Sequence, residues 1–112
     1  MNGAQDIRKW AEETAAEIVE ECESEEERRD RLHETVDGCA DVIYTAKAWD
    51  VVNAVRQDSQ LYDQAYESLT DTKGDRIGDG EDINNVIVRI AYWVLFYAGE
   101  RALQEIEEVA AS

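Results

Sequence analysis

The chain has no proline, and its 112 residues include two cysteines and a single histidine. Cys22 and Cys39 have no C-x-x-C spacing and no companions, so we expect two reduced thiols rather than a disulfide framework or a zinc site. The most apolar stretch, Val86 to Gly99, is interrupted by Arg89 and is shorter than the roughly 20 residues that cross a bilayer. The first residues lack the features of a secretory signal. We therefore expect a cytoplasmic protein without membrane contact.

Positive charge is also scarce, since 11 Lys and Arg stand against 27 Asp and Glu for a formal net charge of −16. Such a surface repels nucleic acid and suits a basic partner or a very salty solvent, because net charge governs association and solubility rather than fold. Disorder is not expected, because 44% of the residues are hydrophobic and three Trp and five Tyr supply core material. We expect one domain over residues 1–112 with one modest core.

Two helices are predicted in the first third of the chain. From Ala4 to Glu23, apolar residues recur three and four positions apart, and the acids fall on the opposite side. Ser24 and Glu27 have the spacing of a capping box, so a second helix should begin there and run to about Val36. Gly38, just beyond it, is suited to the left-handed conformation that commonly ends a helix.

The middle of the chain is less regular. Residues 41–56 have helical spacing, although Val42 to Thr45 is rich in residues that favour strands. A short helix capped at Asp58 or Ser59 should follow. Residues 70–82 contain glycines and acids without an apolar period, which predicts an exposed loop.

The last element, Ile83 to Ala110, is the longest and most apolar, with apolar residues on nearly all sides. A helix of this kind is normally covered by its neighbours or by a second subunit. We therefore predict an all-α bundle of four to five helices in which this long helix is central.

Two pairs of carboxylates have a spacing that suits a metal: Glu17 with Glu20, and Glu34 with Asp37. Two such pairs on facing helices can enclose Mg²⁺, which prefers oxygen ligands. The arrangement resembles the E-x-x-E…E-x-x-D motif of the all-α, MazG-like nucleoside triphosphate pyrophosphatases, and this resemblance implies Mg²⁺-dependent release of pyrophosphate. Gly38 departs from the continuous second helix of that family. The pyrophosphatase is the alternative hypothesis; our expectation is no enzyme, no metal site and no cofactor.

The single histidine, His33, precedes Asp37 by four residues, so an acid–base pair would fit on one helical turn. No nucleophile or oxyanion donor is identifiable beside it in the sequence. We interpret His33 as a polar residue near a helix end that hydrogen-bonds to a neighbouring carboxylate.

The acid itself is the remaining candidate for a binding site. Glutamates that repeat along a helix face stand roughly 5–6 Å apart, and such a line of charge can imitate the phosphates that proteins bind through Lys and Arg. The same acidity is also what salt adaptation or plain solubility produces. The predicted partner-binding residues are Glu12, Glu13, Glu17, Glu20, Glu23, Glu26, Asp71, Asp75 and Asp79.

Residues 31–38, RLHETVDG, followed by VIYT at residues 42–45, carry a second resemblance. The pattern is similar to R-[LI]-H-E-x-[VI]-D-G…V-I-Y in small acidic proteins encoded by phages, prophages and other mobile elements. An aromatic residue that often precedes V-I-Y in those proteins is Asp41 here. The resemblance implies a genomic setting rather than a reaction, because the family is largely uncharacterised.

Mobile elements encode many small acidic inhibitors of host defence, anti-CRISPR proteins among them. Setting and charge together lead to the hypothesis of an anti-CRISPR-like protein that binds the basic surface of a nucleic-acid-binding defence complex in the host cytoplasm. As a nucleic-acid mimic it would not bind nucleic acid itself. A further alternative is a salt-adapted structural protein that uses its apolar last helix to form a homodimer.

Overall fold

Helices make up nearly all of the chain that the structure describes. The computed structural model describes residues 3–39, 45–55, 63–65, 67 and 83–111. Helix α1 spans Ala4–Glu21, α2 spans Glu25–Asp37, α3 spans Thr45–Ala54 and α4 spans Ile83–Ala111. Residues 63–65 and 67 are also helical, and no strand occurs in the described ranges. The predicted all-α bundle with a long last helix is confirmed.

Helix α4 is the centre of the bundle, because α1, α2 and α3 each pack against it. Helices α1 and α2 also contact each other. The buried residues of α4 lie on most of its sides, as expected for a helix that is apolar nearly all round. They are Ile87, Ile90, Ala91, Val94, Leu95, Phe96, Ala98, Ala102 and Leu103.

Helix α1 buries the apolar side that its spacing predicts. Its end differs from the prediction: the helix stops at Glu21 rather than Glu23. Cys22 has extended backbone, with φ −123° and ψ 129°, and its N–H still bonds to the Ile18 carbonyl. The Cys22 side chain is buried, so the turn out of the helix keeps it in the core. The other buried residues of α1 are Ile7, Ala11, Thr14, Ala15 and Ile18.

Helix α2 begins as predicted and ends differently. Ser24 Oγ accepts a hydrogen bond from the N–H three residues later at 3.1 Å, which is the serine half of the predicted capping box. Gly38 has φ −86° and ψ −2°, so the predicted left-handed conformation is wrong. Its N–H bonds to the Glu34 carbonyl, and the Cys39 N–H bonds to the Val36 carbonyl at 3.0 Å. This tightened last turn uses the terminal carbonyls without a positive φ.

Helix α3 has the predicted apolar stripe. Ala48, Val51, Val52 and the following Val55 are buried, and Trp49 is half-buried. The helix begins at Thr45. The predicted helical residues 41–44, the caps at residues 58 and 59 and the loop 70–82 lie outside the described residues.

Helix α2 makes a close contact with α4 at Gly99. Leu32 of α2 is fully buried, and a Cβ on Gly99 would lie only 2.6 Å from its Cδ1. Glycine in a helix interior normally costs about 0.5–1 kcal/mol relative to alanine. Gly99 suits this position despite that cost, because the side chain of Leu32 occupies the space that the methyl group of an alanine would need.

Arg28 connects α2 to both of its neighbours. Its Nε donates to the carbonyl of Cys22 at 3.0 Å, and its Nη1 donates to Oε1 of Glu107 on α4 at 3.1 Å. One arginine can make both bonds because its guanidinium presents several donors in a fixed plane. The pairs Leu32–Gly99 and Arg28–Glu107 follow opposite orders along the two helices, so α2 and α4 are antiparallel.

We expect Gly99→Ala to lower the free energy of unfolding by about 1 kcal/mol, because overpacking typically costs roughly 1–3 kcal/mol and outweighs the helical advantage of alanine, about 1 kcal/mol. Leu32→Ala alone should cost about 2–5 kcal/mol through the cavity that it leaves. In the Leu32→Ala background, Gly99→Ala should be neutral or stabilising, because the cavity admits the new methyl group. Urea unfolding of the four proteins measures this coupling, and additive effects would contradict the contact.

Candidate functional site

The predicted partner-binding glutamates in the described chain are all exposed. Three of them, Glu13, Glu17 and Glu20, lie opposite the buried side of α1, since a helix turns about 100° per residue. We call these three residues the outer face of α1. Asp71, Asp75 and Asp79, the other predicted binding residues, lie outside the described residues.

The other three predicted glutamates do not belong to the outer face. Glu12 lies on the flank of α1, where it lines a depression together with Ala102 and Ile106 of α4. Glu23 lies between α1 and α2. Glu26, in the first turn of α2, lines a groove between α2 and α4. The predicted acidic surface is therefore divided over different sides of the bundle.

The ion pairs that the structure describes leave the outer face of α1 negative. Arg8 Nε contacts Glu12 Oε1 at 3.2 Å, and Arg31 Nη1 contacts Glu21 Oε2 at 2.7 Å. Both pairs lie on the surface, where such pairs typically contribute about 0–1 kcal/mol. Neither involves the outer face, whose three carboxylates have no ion-pair partner among the described residues.

The two carboxylate pairs of the alternative, Mg²⁺-dependent hypothesis do not come together. Glu17, Glu20, Glu34 and Asp37 are all exposed. Within the described ranges, no group of three or more His, Cys, Asp or Glu side chains is placed to hold a metal ion. Two of the four lie on the outer face of α1, which is turned away from the rest of the bundle.

His33 lies in an aromatic cluster and not beside a carboxylate. Its Nδ1 is 2.6 Å from the hydroxyl oxygen of Tyr92, and its ring stacks on Phe96 with 4.1 Å between the centroids. The rings of His33 and Trp93 are perpendicular, with 6.1 Å between their centroids. The predicted hydrogen bond to a neighbouring carboxylate is therefore wrong, because α4 supplies a closer hydroxyl group and an aromatic face.

This cluster was not predicted from the sequence, although its residues recur there at helical spacing. The ring-bearing residues of α4 form pairs four positions apart, and so do Arg29 and His33 on α2. The Arg29 guanidinium lies 5.6 Å from the centre of the Phe96 ring, within reach of a cation–π interaction. What the sequence did not reveal is that the two series face each other. The residues contributed by α4 are Tyr92, Trp93, Phe96 and Tyr97.

The surroundings of His33 favour its neutral form. Burial, and then the positive charge of Arg29, lower the pKa of His33 below its usual 6.5, while Asp37, Asp30 and Glu100 act in the opposite direction. A neutral Nδ1 can accept the proton of a phenol. The titratable side chain of His33 is therefore part of the contact between α2 and α4.

Tyr92 is held in its protonated form. Burial, and then the negative charge of Asp37, raise the pKa of Tyr92 above its usual 10. At neutral pH the phenol therefore keeps the proton that it can donate to His33.

Two depressions lie beside the second half of α4. The α2–α4 groove has a volume of about 460 Å³, and its lining includes Glu25, Glu26, Arg28, Leu32, Glu100 and Leu103. The depression between α1 and α4 has a volume of about 310 Å³ and is lined by Glu12, Ala102, Glu105, Ile106 and Val109. Both combine apolar side chains with carboxylates.

No protein-family model matches the chain, and neither a comparison with curated proteins nor one with solved structures found a match. The resemblance of residues 31–45 to proteins of mobile elements therefore stays a prediction. None of the helices in the described part of the chain has the length and apolar character needed to span a membrane. Fold and charge together define an acidic all-α bundle.

We expect the stability of the protein to fall as the pH drops below about 6.5. The pKa of His33 is lowered in the folded state, so between that value and the ordinary value near 6.5 the unfolded chain binds more protons and is favoured. His33→Phe retains a ring against Phe96 but cannot titrate, so its stability should change less with pH in this window. Urea midpoints from pH 5 to 8 compare the two.

The single histidine also allows a direct measurement. Its Hε1 resonance in a proton NMR titration should give a pKa below 6.5 in the folded protein. A pKa at or above that value, or equal pH slopes for the wild type and His33→Phe, would contradict the role assigned to the cluster.

Proposed function

We propose that this protein is an acidic inhibitor that binds the basic surface of a nucleic-acid-handling protein, in the anti-CRISPR-like setting that its sequence suggests. The outer face of α1 is the docking surface. The observation that supports this most is the exposure of Glu13, Glu17 and Glu20 on one side of a helix without ion-pair partners among the described residues. By occupying a groove that binds nucleic acid, the protein excludes the nucleic acid.

The geometry of the outer face suits this role in sign and direction. With a rise of about 1.5 Å per residue, Glu13 and Glu17 are separated by roughly 6 Å along the axis, and Glu17 and Glu20 by roughly 4.5 Å. Each strand of DNA presents one charge per about 3.4 Å. The helix therefore offers a line of negative charge that is sparser than a nucleic-acid strand, and it imitates the charge rather than the positions of the phosphates.

The distribution of charge over the helices also favours a directed surface. Residues 3–39 carry 13 acidic and 5 basic residues, whereas α3 carries one of each, Asp50 and Lys47, and α4 carries four glutamates against two arginines. Among the described helices, acid is therefore densest on α1 and α2, the pair that includes the outer face. A concentrated negative field accelerates association with a basic partner and makes binding sensitive to salt.

We expect the triple variant Glu13→Lys, Glu17→Lys, Glu20→Lys to weaken partner binding at least about tenfold, because each change puts a positive charge opposite the partner's basic residues. The matched control reverses three other exposed acids, Glu34, Glu105 and Glu108, and therefore changes the net charge equally. The partner is captured from extracts of the host and identified. Competition between the protein and a labelled oligonucleotide for the purified partner then gives the affinities.

Circular dichroism of both triple variants should show unchanged helicity, because all six positions are exposed. If the outer-face variant competes as well as the wild type, the outer face is not the docking surface. If the captured protein binds the oligonucleotide equally with and without the wild-type protein, the proposed inhibition is wrong.

Salt separates this function from salt adaptation. An inhibitor that works in an ordinary cytoplasm should be folded near 0.1 M salt and should lose its partner as the salt rises, because the Debye length there is about 10 Å and shortens further with added salt. A salt-adapted protein should instead unfold at 0.1 M and refold only in molar salt. Circular dichroism and the competition assay across one salt series measure both properties.

A further inference from the structure

The α2–α4 groove is crossed by a contact between the helices that form its walls. Near one end, the side chain of Leu32 lies against Gly99. Further along, Arg28 reaches across to Glu107, and Glu25 and Glu26 line the groove on the far side of this pair. The open groove has a volume of about 460 Å³, which is within the roughly 300–1,000 Å³ of small-molecule pockets.

The side chains in the groove are apolar at its floor and acidic at its walls. Leu32 and Leu103 are buried and lie at the floor. Glu25 and Glu26 come from the first turn of α2, and Glu100 comes from α4. These three carboxylates have no ion-pair partner among the described residues, whereas Glu107 is already bonded to Arg28.

We propose that this groove binds an arginine side chain of a protein partner. An arginine has an apolar stem that can lie along the aliphatic parts of the groove lining, and a charged end that can reach carboxylates. Its planar guanidinium carries five N–H donors, so it can bond to carboxylates on both walls at once, which the compact ammonium of lysine does less well. The inference rests on the proposed function, since both need a basic partner, and it identifies the anchoring residue of that partner.

Two arginines of the chain itself line the groove, and their contacts show which partners a guanidinium finds there. Arg28 is largely buried, with 19% of its side chain exposed, and it bonds to a carboxylate of α4 from its position on α2. Arg29 also lines the groove, but its guanidinium stands over the ring of Phe96. After the Arg28–Glu107 pair is set aside, three carboxylates face one guanidinium, so the groove keeps an excess of negative charge.

Acidic residues also occur along the chain between the outer face of α1 and the groove. Glu20 lies near the end of α1, Glu23 lies in the connection between the helices, and Glu26 lies at the groove, and all three are exposed. Their charge adds to the negative field that attracts a basic partner. Binding energy in interfaces is typically concentrated in a few anchors seated in pockets, and arginine is among the residues enriched there.

The test uses N-acetyl-arginine methylamide as the probe and N-acetyl-citrulline methylamide as its uncharged counterpart of nearly the same shape. Addition of the arginine probe to the full chain should shift the methyl resonances of Leu32 and Leu103 with saturation in the millimolar range, as expected for a small fragment. The citrulline probe should bind at least about tenfold more weakly, because it lacks the charge-assisted bonds.

Two triple variants with equal changes in net charge locate the binding. Glu25→Gln, Glu26→Gln, Glu100→Gln should weaken binding of the arginine probe at least about tenfold. Glu13→Gln, Glu17→Gln, Glu20→Gln should leave it within about threefold, because distant exposed charges are screened. Equal losses in both variants, equal binding of the two probes, or shifts confined to other methyl groups would overturn the inference.

The same measurements keep this inference separate from the proposed function. If the groove does not bind the arginine probe while the outer-face variant still fails to compete with nucleic acid, the arginine site is wrong and the inhibitor proposal stands. If the wild-type protein competes with nucleic acid for no captured partner, the inhibitor proposal is wrong, whatever the probe shows.

Discussion

The packing of α2 against α4 is the contact on which the other features of the structure depend. Leu32 of α2 lies against Gly99 of α4, and the next residue of α2, His33, meets Tyr92 and Phe96. One turn earlier, Arg28 bonds to Glu107 across the α2–α4 groove. The packing of these two helices therefore positions both the aromatic cluster and the groove.

This small protein combines a high negative charge with an apolar core because charged and apolar residues lie on opposite sides of its outer helices. The outer face of α1 is turned to solvent, and the opposite side of the same helix is buried against α4. The largely buried Arg28 is paired: it bonds to the carbonyl of Cys22 and to the carboxylate of Glu107. A charge buried without such partners would cost several kcal/mol.

The periodicity of the sequence predicted the helices better than it predicted their ends or their partners. The buried stripe of α1 and the nearly all-round burial of α4 follow from apolar spacing alone, because both are properties of a single helix. Gly38 was mispredicted because a right-handed tightened turn and a left-handed cap satisfy the same carbonyls, and the local sequence allows both. The partner of His33 was missed because Tyr92 is 59 residues away.

The predicted partner-binding glutamates show the same limit of prediction from spacing. Spacing predicted that Glu12, Glu13, Glu17 and Glu20 share one helix face; the last three lie opposite the buried side of α1, whereas Glu12 lies on the flank toward α4. Spacing could not show that Glu26 belongs to a groove, because the second wall of that groove comes from α4. Sites made by one helix can be predicted from spacing, whereas sites made by two require the packing of the chain.

The central position of α4 has a consequence for the order in which the chain can fold during synthesis. Helices α1, α2 and α3 all rest on a helix that follows them in the chain. At about 5–20 residues per second, roughly four to fifteen seconds separate the synthesis of the end of α2 from that of the end of α4. During that interval α1 can pack only against α2, so the part of its apolar side that contacts α4 stays uncovered until the last helix has been made.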